Sequence, residues 1–333
     1  MRGGLFLAYW PWFTPEEQVS LAVLADDLDL DSVWISEAWG QDAVSLLGYL
    51  AAKTERVALA SGLMQIPARK PTATAMAAVT LDVLSGGRFR LGLGLSGPQV
   101  SEGWYGEPFT KPLKRTREYV ETVRDALARK PIALPLPEGE PNLGLGKPLK
   151  LLAKPVQDTI PIYLGSIGPK AVKQTGEIAD GWLPFMLDPR NPDVLLKPLL
   201  EGAAGRQLDI SPVVPMAIGD DKAAARDAVR PWLAFYLGAM GAKQKNFYVE
   251  LADLYGHGDS ARTVQDLALA GDREGALAAV SDGLVDASCI ACTAGELDAR
   301  LAEYEAIGVT TLVAVPSGDR EATVRTFAKA LGG

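Results

Sequence analysis

The chain has 333 residues, with 33 Lys and Arg against 41 Asp and Glu and a net charge of −8, and its basic residues gather into no stripe. That pattern argues against a nucleic-acid partner. Two cysteines and one histidine leave no room for a disulfide framework or a histidine-built metal centre, and no uncharged apolar run approaches the ~18 residues that span a bilayer. The opening MRGGLFLAYWPWF is too short for a signal peptide's apolar region, so a cytoplasmic protein with no membrane partner is expected.

Residues 3–9 form an apolar run bounded by Gly and Pro, the mark of a strand buried on both faces. A helix over 15–29 follows, with Leu21, Leu24, Ala25 and Leu28 on one stripe. Strand 32–37, helix 42–53, strand 57–64, helix 72–84 and strand 88–93 complete four strand–helix units, about 30 residues apart, as βαβ repeats of a parallel sheet require. A helix over 115–129 carries Tyr119, Val120, Val123 and Leu127 inward. Residues 131–155, rich in Pro and Gly, read as a long loop with room for a hairpin.

The pattern resumes with strand 161–165, helix 169–178, strand 181–185, helix 193–204 and strand 213–219. From about 220 to 285 only helical stripes occur, such as Val229, Trp232, Leu233 and Tyr236. Thr293 and Glu296 form a capping box, strand 309–315 follows, and a last helix stops at Gly332. Eight strands alternating with helices, with no weak edge strand, predict one domain over 1–333. It is a (β/α)₈ barrel with a helical insertion before the last strand.

In such a barrel the site forms where strands end. Those ends carry Tyr9, Trp10 and Trp12, then Glu37 and Trp39, then Gly62, Leu63 and Gln65, then Gly94, Ser96 and Gln99, and later Gly165 to Gly168. The mouth is aromatic and glycine-gapped with few ionisable groups, which suits a flat ring better than a metal or a sugar. No metal site is expected, because Glu37 is nearly alone as a strand-end acid and His257 lies in the helical stretch. Cys289 and Cys292, spaced C-x-x-C, read as ordinary half-buried thiols.

Gly92, Gly94 and Gly97 also satisfy G-x-G-x-x-G. The context of a dinucleotide fingerprint is missing: Pro98 and the Gly-Trp-Tyr-Gly run fit a loop better than a helix, the motif sits on the fourth strand, and Glu118 lies in a helical pattern. The segment reads instead as a cofactor-facing loop of another kind.

With no Ser-His-Asp set and no paired carboxylates beyond Glu37 and Glu102, the hard chemistry falls to a cofactor. Glu37 and Trp39 are the candidate catalytic residues, Glu37 as a proton carrier or as a carboxylate accepting hydrogen bonds. Trp10, Gln99, Trp104 and Tyr105 are candidate substrate contacts. Gly165, Ser166, Ile167 and Gly168, running into a helix that starts at Pro169, can hold a phosphate.

The stretches SVWISEAW, SGLMQIPAR, TAMAAVTLDVLSGGRFRLGLGLSGPQVSEGWYG and GPKAVKQTGEIADGW closely resemble the luciferase-like flavin and deazaflavin barrel superfamily, in particular its oxidoreductases that use coenzyme F420. The resemblance implies hydride transfer at C5 of the deazaflavin and a non-proline cis peptide at Gly62-Leu63 behind the ring. It also implies Gly94, Ser96 and Gly97 along the ring, Ser166 to Gly168 at the coenzyme phosphate, Glu37 as the strand-two acid, and a homodimer. Ala38 stands where better-known members keep a histidine, and Pro98 or Gln99 where they keep a glutamate. Reduction of a C=C or C=N bond in a small or medium organic substrate is therefore expected rather than alcohol oxidation. An FMN-dependent monooxygenase and a non-catalytic coenzyme-binding barrel are the alternatives.

Overall fold

The computed structural model describes residues 1–332 except Pro11, Pro137, Glu138, Glu140, Ala242 and Lys243. Its strands are β1 (Arg2–Leu7), β2 (Ser32–Ile35), β3 (Ala58–Ser61), β4 (Met64–Gln65), β5 (Phe89–Gly94), β6 (Ile162–Leu164), β7 (Gly181–Trp182), β8 (Asp209–Ile210), β9 (Val213–Ile218), β10 (Ile290–Cys292) and β11 (Thr311–Pro316). They make a single curled sheet in the order β10-β9-β11-β1-β2-β3-β5-β6-β7-β8, with β4 also on β5. Every strand pair is parallel, beginning with Gly4 opposite Ser32 and Arg2 opposite Thr311. Parallel strands are covered on both faces, which is why β1 and β2 read as unbroken apolar runs.

The curl brings its far parts together. Phe185, just past β7, forms an isolated parallel bridge with Val213 of β9, and the Val213 amide donates to Pro184 O at 2.8 Å. β7 ends sooner than the expected strand because Pro184 has no N–H to offer a ladder.

Helices alternate with the strands and pack outside the sheet. The expected strand 57–64 is split into β3 and β4, and two short strands, β8 and β10, have no counterpart in the sequence reading. Between β9 and β10 lie the helices Lys222–Gly238, Phe247–Leu254, Gly258–Leu269, Arg273–Ala278 and Asp282–Ser288. The capping box of Thr293 and Glu296 forms. The 131–155 stretch holds one antiparallel bridge, Ile132 to Leu149, with Leu143, Leu145 and Leu152 exposed. The two cysteines are fully buried rather than half-buried.

One expectation is corrected. Pro98–Gly103 is a short helix, not a loop. Pro98 sits at its first turn, where a missing N–H costs nothing and the fixed φ is already helical, and Gly97 occupies the N-cap.

The starts of the strands carry a charged network. Arg2 donates to Asp31 at 3.1 Å and to Asp209 at 2.8 Å, and Arg90 reaches both oxygens of Asp31 at 2.6 and 3.1 Å. Asp209 also accepts from Tyr163 Oη at 2.6 Å, from Thr311 at 3.2 Å and from Thr310. Burial pushes the Asp209 carboxyl up, but the Thr310 and Tyr163 hydrogen bonds and the Arg2 charge outweigh it, leaving the pKa below the ordinary aspartate range.

Candidate active site

At the opposite end, where the strands finish, lies a cavity of about 360 Å³. Its floor is made by Leu63. The Gly62-Leu63 peptide is cis, as the resemblance implies, and the leucine side chain occupies space that two glycines leave open. A Cβ added at Gly165 would stand 2.1 Å from Leu63 Cδ1, and one at Gly94 would stand 2.9 Å from it. These contacts are why glycine ends β5 and follows β6. Ser61 fastens β3 to β5, accepting from the Gly92 amide and donating to Gly92 O, both at 2.9 Å. Ser96 holds a left-handed backbone with φ 60°, a conformation that a non-glycine residue adopts at a cost and that clusters at ligand sites.

Glu37 ends β2 in a buried position. Its Oε1 pairs with Arg69, and the Ala43 amide donates to its Oε2 at 3.4 Å. Arg69 turns its other nitrogen to Asp42 at 2.6 Å, and its carbonyl accepts from Tyr119 Oη at 3.0 Å. Burial raises the Glu37 pKa, with the Arg69 guanidinium pulling against it but not cancelling it. The carboxylate is thus held by a cation, not left free in the cavity wall. Trp39 lines the same wall, and 43% of it is exposed.

After β6, Ser166 Oγ lies 2.8 Å from Thr175 Oγ1, which itself donates to Ala171 O at 3.1 Å. The helix Pro169–Ile178 starts on Gly168 with no side-chain cap, so its first-turn amides are open to an anion.

The remaining wall draws on distant parts of the chain. Tyr9 and Phe185 line it together with Tyr236, Met240, Lys245 and Tyr248. Phe185 stacks on Tyr236 at 4.1 Å between centroids, and Tyr248 meets Tyr236 edge-on at 4.8 Å. Lys245 is the one cation among the described lining residues.

Eleven expected site residues line this cavity: Glu37, Trp39, Gly62, Leu63, Gly94, Ser96, Gly97, Gly165, Ser166, Ile167 and Gly168. Four do not. Trp10 is tied elsewhere, its indole donating to Gln18 at 2.7 Å and its amide to Gln41 at 3.0 Å. Trp104 is 64% exposed. Gln99 donates to Met240 O at 2.6 Å and so fastens the β5 loop to the helical region. Tyr105 accepts from Gln65, which does line the cavity, at 3.1 Å.

Tyr9 was among the expected strand-end residues, but Arg69 and the part of Tyr236 and Tyr248 in this wall were not anticipated. A signal for Arg69 was present: a buried carboxylate needs a counter-charge, and Arg69 is the first cation after strand three.

A profile of the luciferase-like monooxygenase family matches residues 2–311. A Mycobacterium tuberculosis protein, provisionally named a coenzyme F420-dependent oxidoreductase, is 42% identical over 96% of this chain and 96% of its own. The 5,10-methylenetetrahydromethanopterin reductase of Methanolobus tindarius is 30% identical over 96% of this chain and 98% of its own. Among solved structures, the coenzyme F420-dependent tetrahydromethanopterin reductase from Methanopyrus kandleri superposes with a TM-score of 0.83 at 24% identity, covering 99% of this chain and 97% of its own.

Proposed function

The chain belongs to the luciferase-like monooxygenase family, and from that premise we propose that it is a coenzyme F420-dependent oxidoreductase. It moves a hydride between the deazaflavin and a small or medium organic substrate, in the direction that reduces an activated C=C or C=N bond. The observation that carries the reading is the Leu63 floor, an apolar side chain seated in the space that Gly94 and Gly165 leave, where a Cβ at either glycine would collide with it.

The residues present fit such a coenzyme. Gly62, Leu63, Gly94, Ser96 and Gly97 would face the ring, and Gly165 to Gly168 with the uncapped helix start would take the phosphate. Bound there, the coenzyme supplies a carbon that gives or takes a hydride. The chain's own part is to keep the ring flat, to keep water out of an aromatic mouth, and to hold Glu37 as a fixed carboxylate through Arg69. With Ala38 beside it and Arg69 on it, Glu37 serves as a hydrogen-bond acceptor and not as the proton carrier.

We also read the curled sheet as a closed (β/α)₈ barrel, supported by the Phe185–Val213 bridge. The helices between β9 and β10 are then the insertion, in one domain over the whole chain. A homodimer in the cytoplasm completes the reading. Two buried, unpaired thiols suit a reducing compartment, and the exposed leucines of the 131–155 stretch offer a contact surface.

Titrating the purified protein with F420 and with FMN tests this. F420 should bind at least about tenfold more tightly, a difference of about 1.4 kcal/mol. Equal affinities would turn the reading to an FMN monooxygenase.

A further inference from the structure

A hydride delivered to one end of a double bond must be balanced by a proton at the other, and the residues so far assigned do not provide one. Glu37 is held by Arg69, the Ser166 hydroxyl is bonded to Thr175, and Lys245 is exposed. The chain's one histidine, His257, is not among the cavity's lining residues.

The tyrosine wall fills the gap. Tyr9, at the end of β1, and Tyr236, in the helix Lys222–Gly238, both line the cavity, and their hydroxyl oxygens lie 3.1 Å apart. Two hydroxyls bonded to each other use one of their two protons. The other has no acceptor among the described residues, because neither oxygen makes a further bond there. The pair therefore always has one O–H to give to a ligand.

Which tyrosine gives it follows from the packing. Tyr236 is buried, stacked on Phe185 and flanked by Tyr248 and Phe235, whereas Tyr9 is only partly buried. If Tyr236 donates to Tyr9, the free proton is that of Tyr9, and the same bond then stabilises the phenolate left when that proton is transferred. Burial pushes both hydroxyls above the ordinary tyrosine range, and the hydrogen bond from Tyr236 pulls Tyr9 back. Tyr248, the other phenol of this wall, has no second hydroxyl bonded to it among the described residues.

We propose that Tyr9 is the catalytic proton donor of this site and Tyr236 its positioning residue, acting on the heteroatom of an imine or an α,β-unsaturated carbonyl. The proposal rests on the oxidoreductase reading above. In an imine the hydride adds to carbon and the C=N pair collects on nitrogen. In an enone it adds to the β-carbon, the C=C pair shifts to the carbonyl carbon and the C=O pair collects on oxygen, the enol so formed turning into the ketone by proton exchange with solvent. The Tyr9 O–H bond breaks, its proton goes to that heteroatom, and solvent later restores the proton to the Tyr9 oxygen. Every electron and proton is then accounted for, with the reduced deazaflavin as the reductant.

The test uses the whole protein with oxidised F420, which has no hydride to give, and cyclohex-2-en-1-one labelled with ¹³C at the carbonyl. Isotope-edited infrared spectra should show a bound carbonyl band moved to lower wavenumber in the wild type. Tyr9→Phe should abolish that shift, and Tyr236→Phe should reduce it, both with F420 affinity within about twofold of wild type. In turnover with reduced F420, Tyr9→Phe should lose roughly 10² to 10⁴-fold, the usual worth of a positioned proton donor. A Tyr9→Phe band as shifted as the wild type's, or no shifted band in the wild type while F420 binds, would overturn the proposal. Failure of F420 to bind the wild type would instead strike the oxidoreductase reading, so the two failures are distinguishable. Should Tyr9→Phe fold poorly, Tyr236→Phe decides alone: a band and a rate equal to wild type would refute the pair.

Discussion

The two ends of the curled sheet are built on opposite principles. Where the strands start, Arg2, Arg90, Asp31, Asp209, Tyr163 and Thr310 satisfy one another from four strands and the turns before β2 and β11. Where they finish, the walls are glycine and aromatic carbon, with the Glu37–Arg69–Asp42 group as the charged anchor. That end also keeps a strained Ser96 backbone and a buried Gln65 Oε1 with no partner among the described residues. A satisfied network rigidifies a fold and an unsatisfied one waits for a ligand. Stability is concentrated at one end so that the other can be left incomplete.

The largest effect should come from breaking the satisfied end. Asp209→Asn removes the charge that Arg2 faces and weakens the bonds from Tyr163 and Thr310. It should cost about 3 kcal/mol of unfolding free energy in a denaturant titration, the low end for a broken buried pair because Arg2 is half exposed. F420 affinity should not change. The sign with pH follows from the depressed Asp209 pKa. Its contribution is fully present above the unfolded value near 3.8 and is lost as the pH falls through the lower folded value, so the gap between wild type and variant should close in acid.

The second effect belongs to the mouth. Gly165→Ala places a methyl group against Leu63 and should weaken F420 binding by about 2 kcal/mol, within the usual range for overpacking. Adding Leu63→Ala should restore part of that affinity. A Gly165→Ala protein that binds F420 like the wild type would remove the leucine floor from the account.

The smallest effect is expected at Glu37. Glu37→Gln keeps shape while removing charge, and Asp42 still holds Arg69. Coenzyme binding should weaken by about 1 kcal/mol, the worth of one hydrogen-bond interaction, with saturated turnover intact. A thousandfold loss of turnover at normal affinity would make Glu37 the proton carrier after all.

Much of this comparison was legible beforehand, for stated reasons. Apolar runs and 3.6-residue stripes marked the principal strands and helices, and the Thr293–Glu296 box marked a helix start because both depend on local spacing. What escaped was short or distant. β8 is two residues long, below any periodicity, and β10 follows directly on the helical stretch that hid it. Arg69 meets Glu37 across 32 positions and Tyr9 meets Tyr236 across 227, pairings that no local pattern encodes. Trp10 and Trp104 do not line the cavity, for the converse reason. An aromatic residue near a strand end resembles a mouth residue until its partners, such as Gln18 for Trp10, are known.

The central claim is that the Leu63 floor is a seat for a deazaflavin ring, and a crystal structure of the protein with oxidised F420 tests it most directly. The ring face should lie on Leu63 with its edge along Gly94 and Gly165 and the phosphate at the Gly168–Pro169 helix start. A coenzyme bound outside this slot, or bound only after Leu63 has swung away from Gly165, would contradict it.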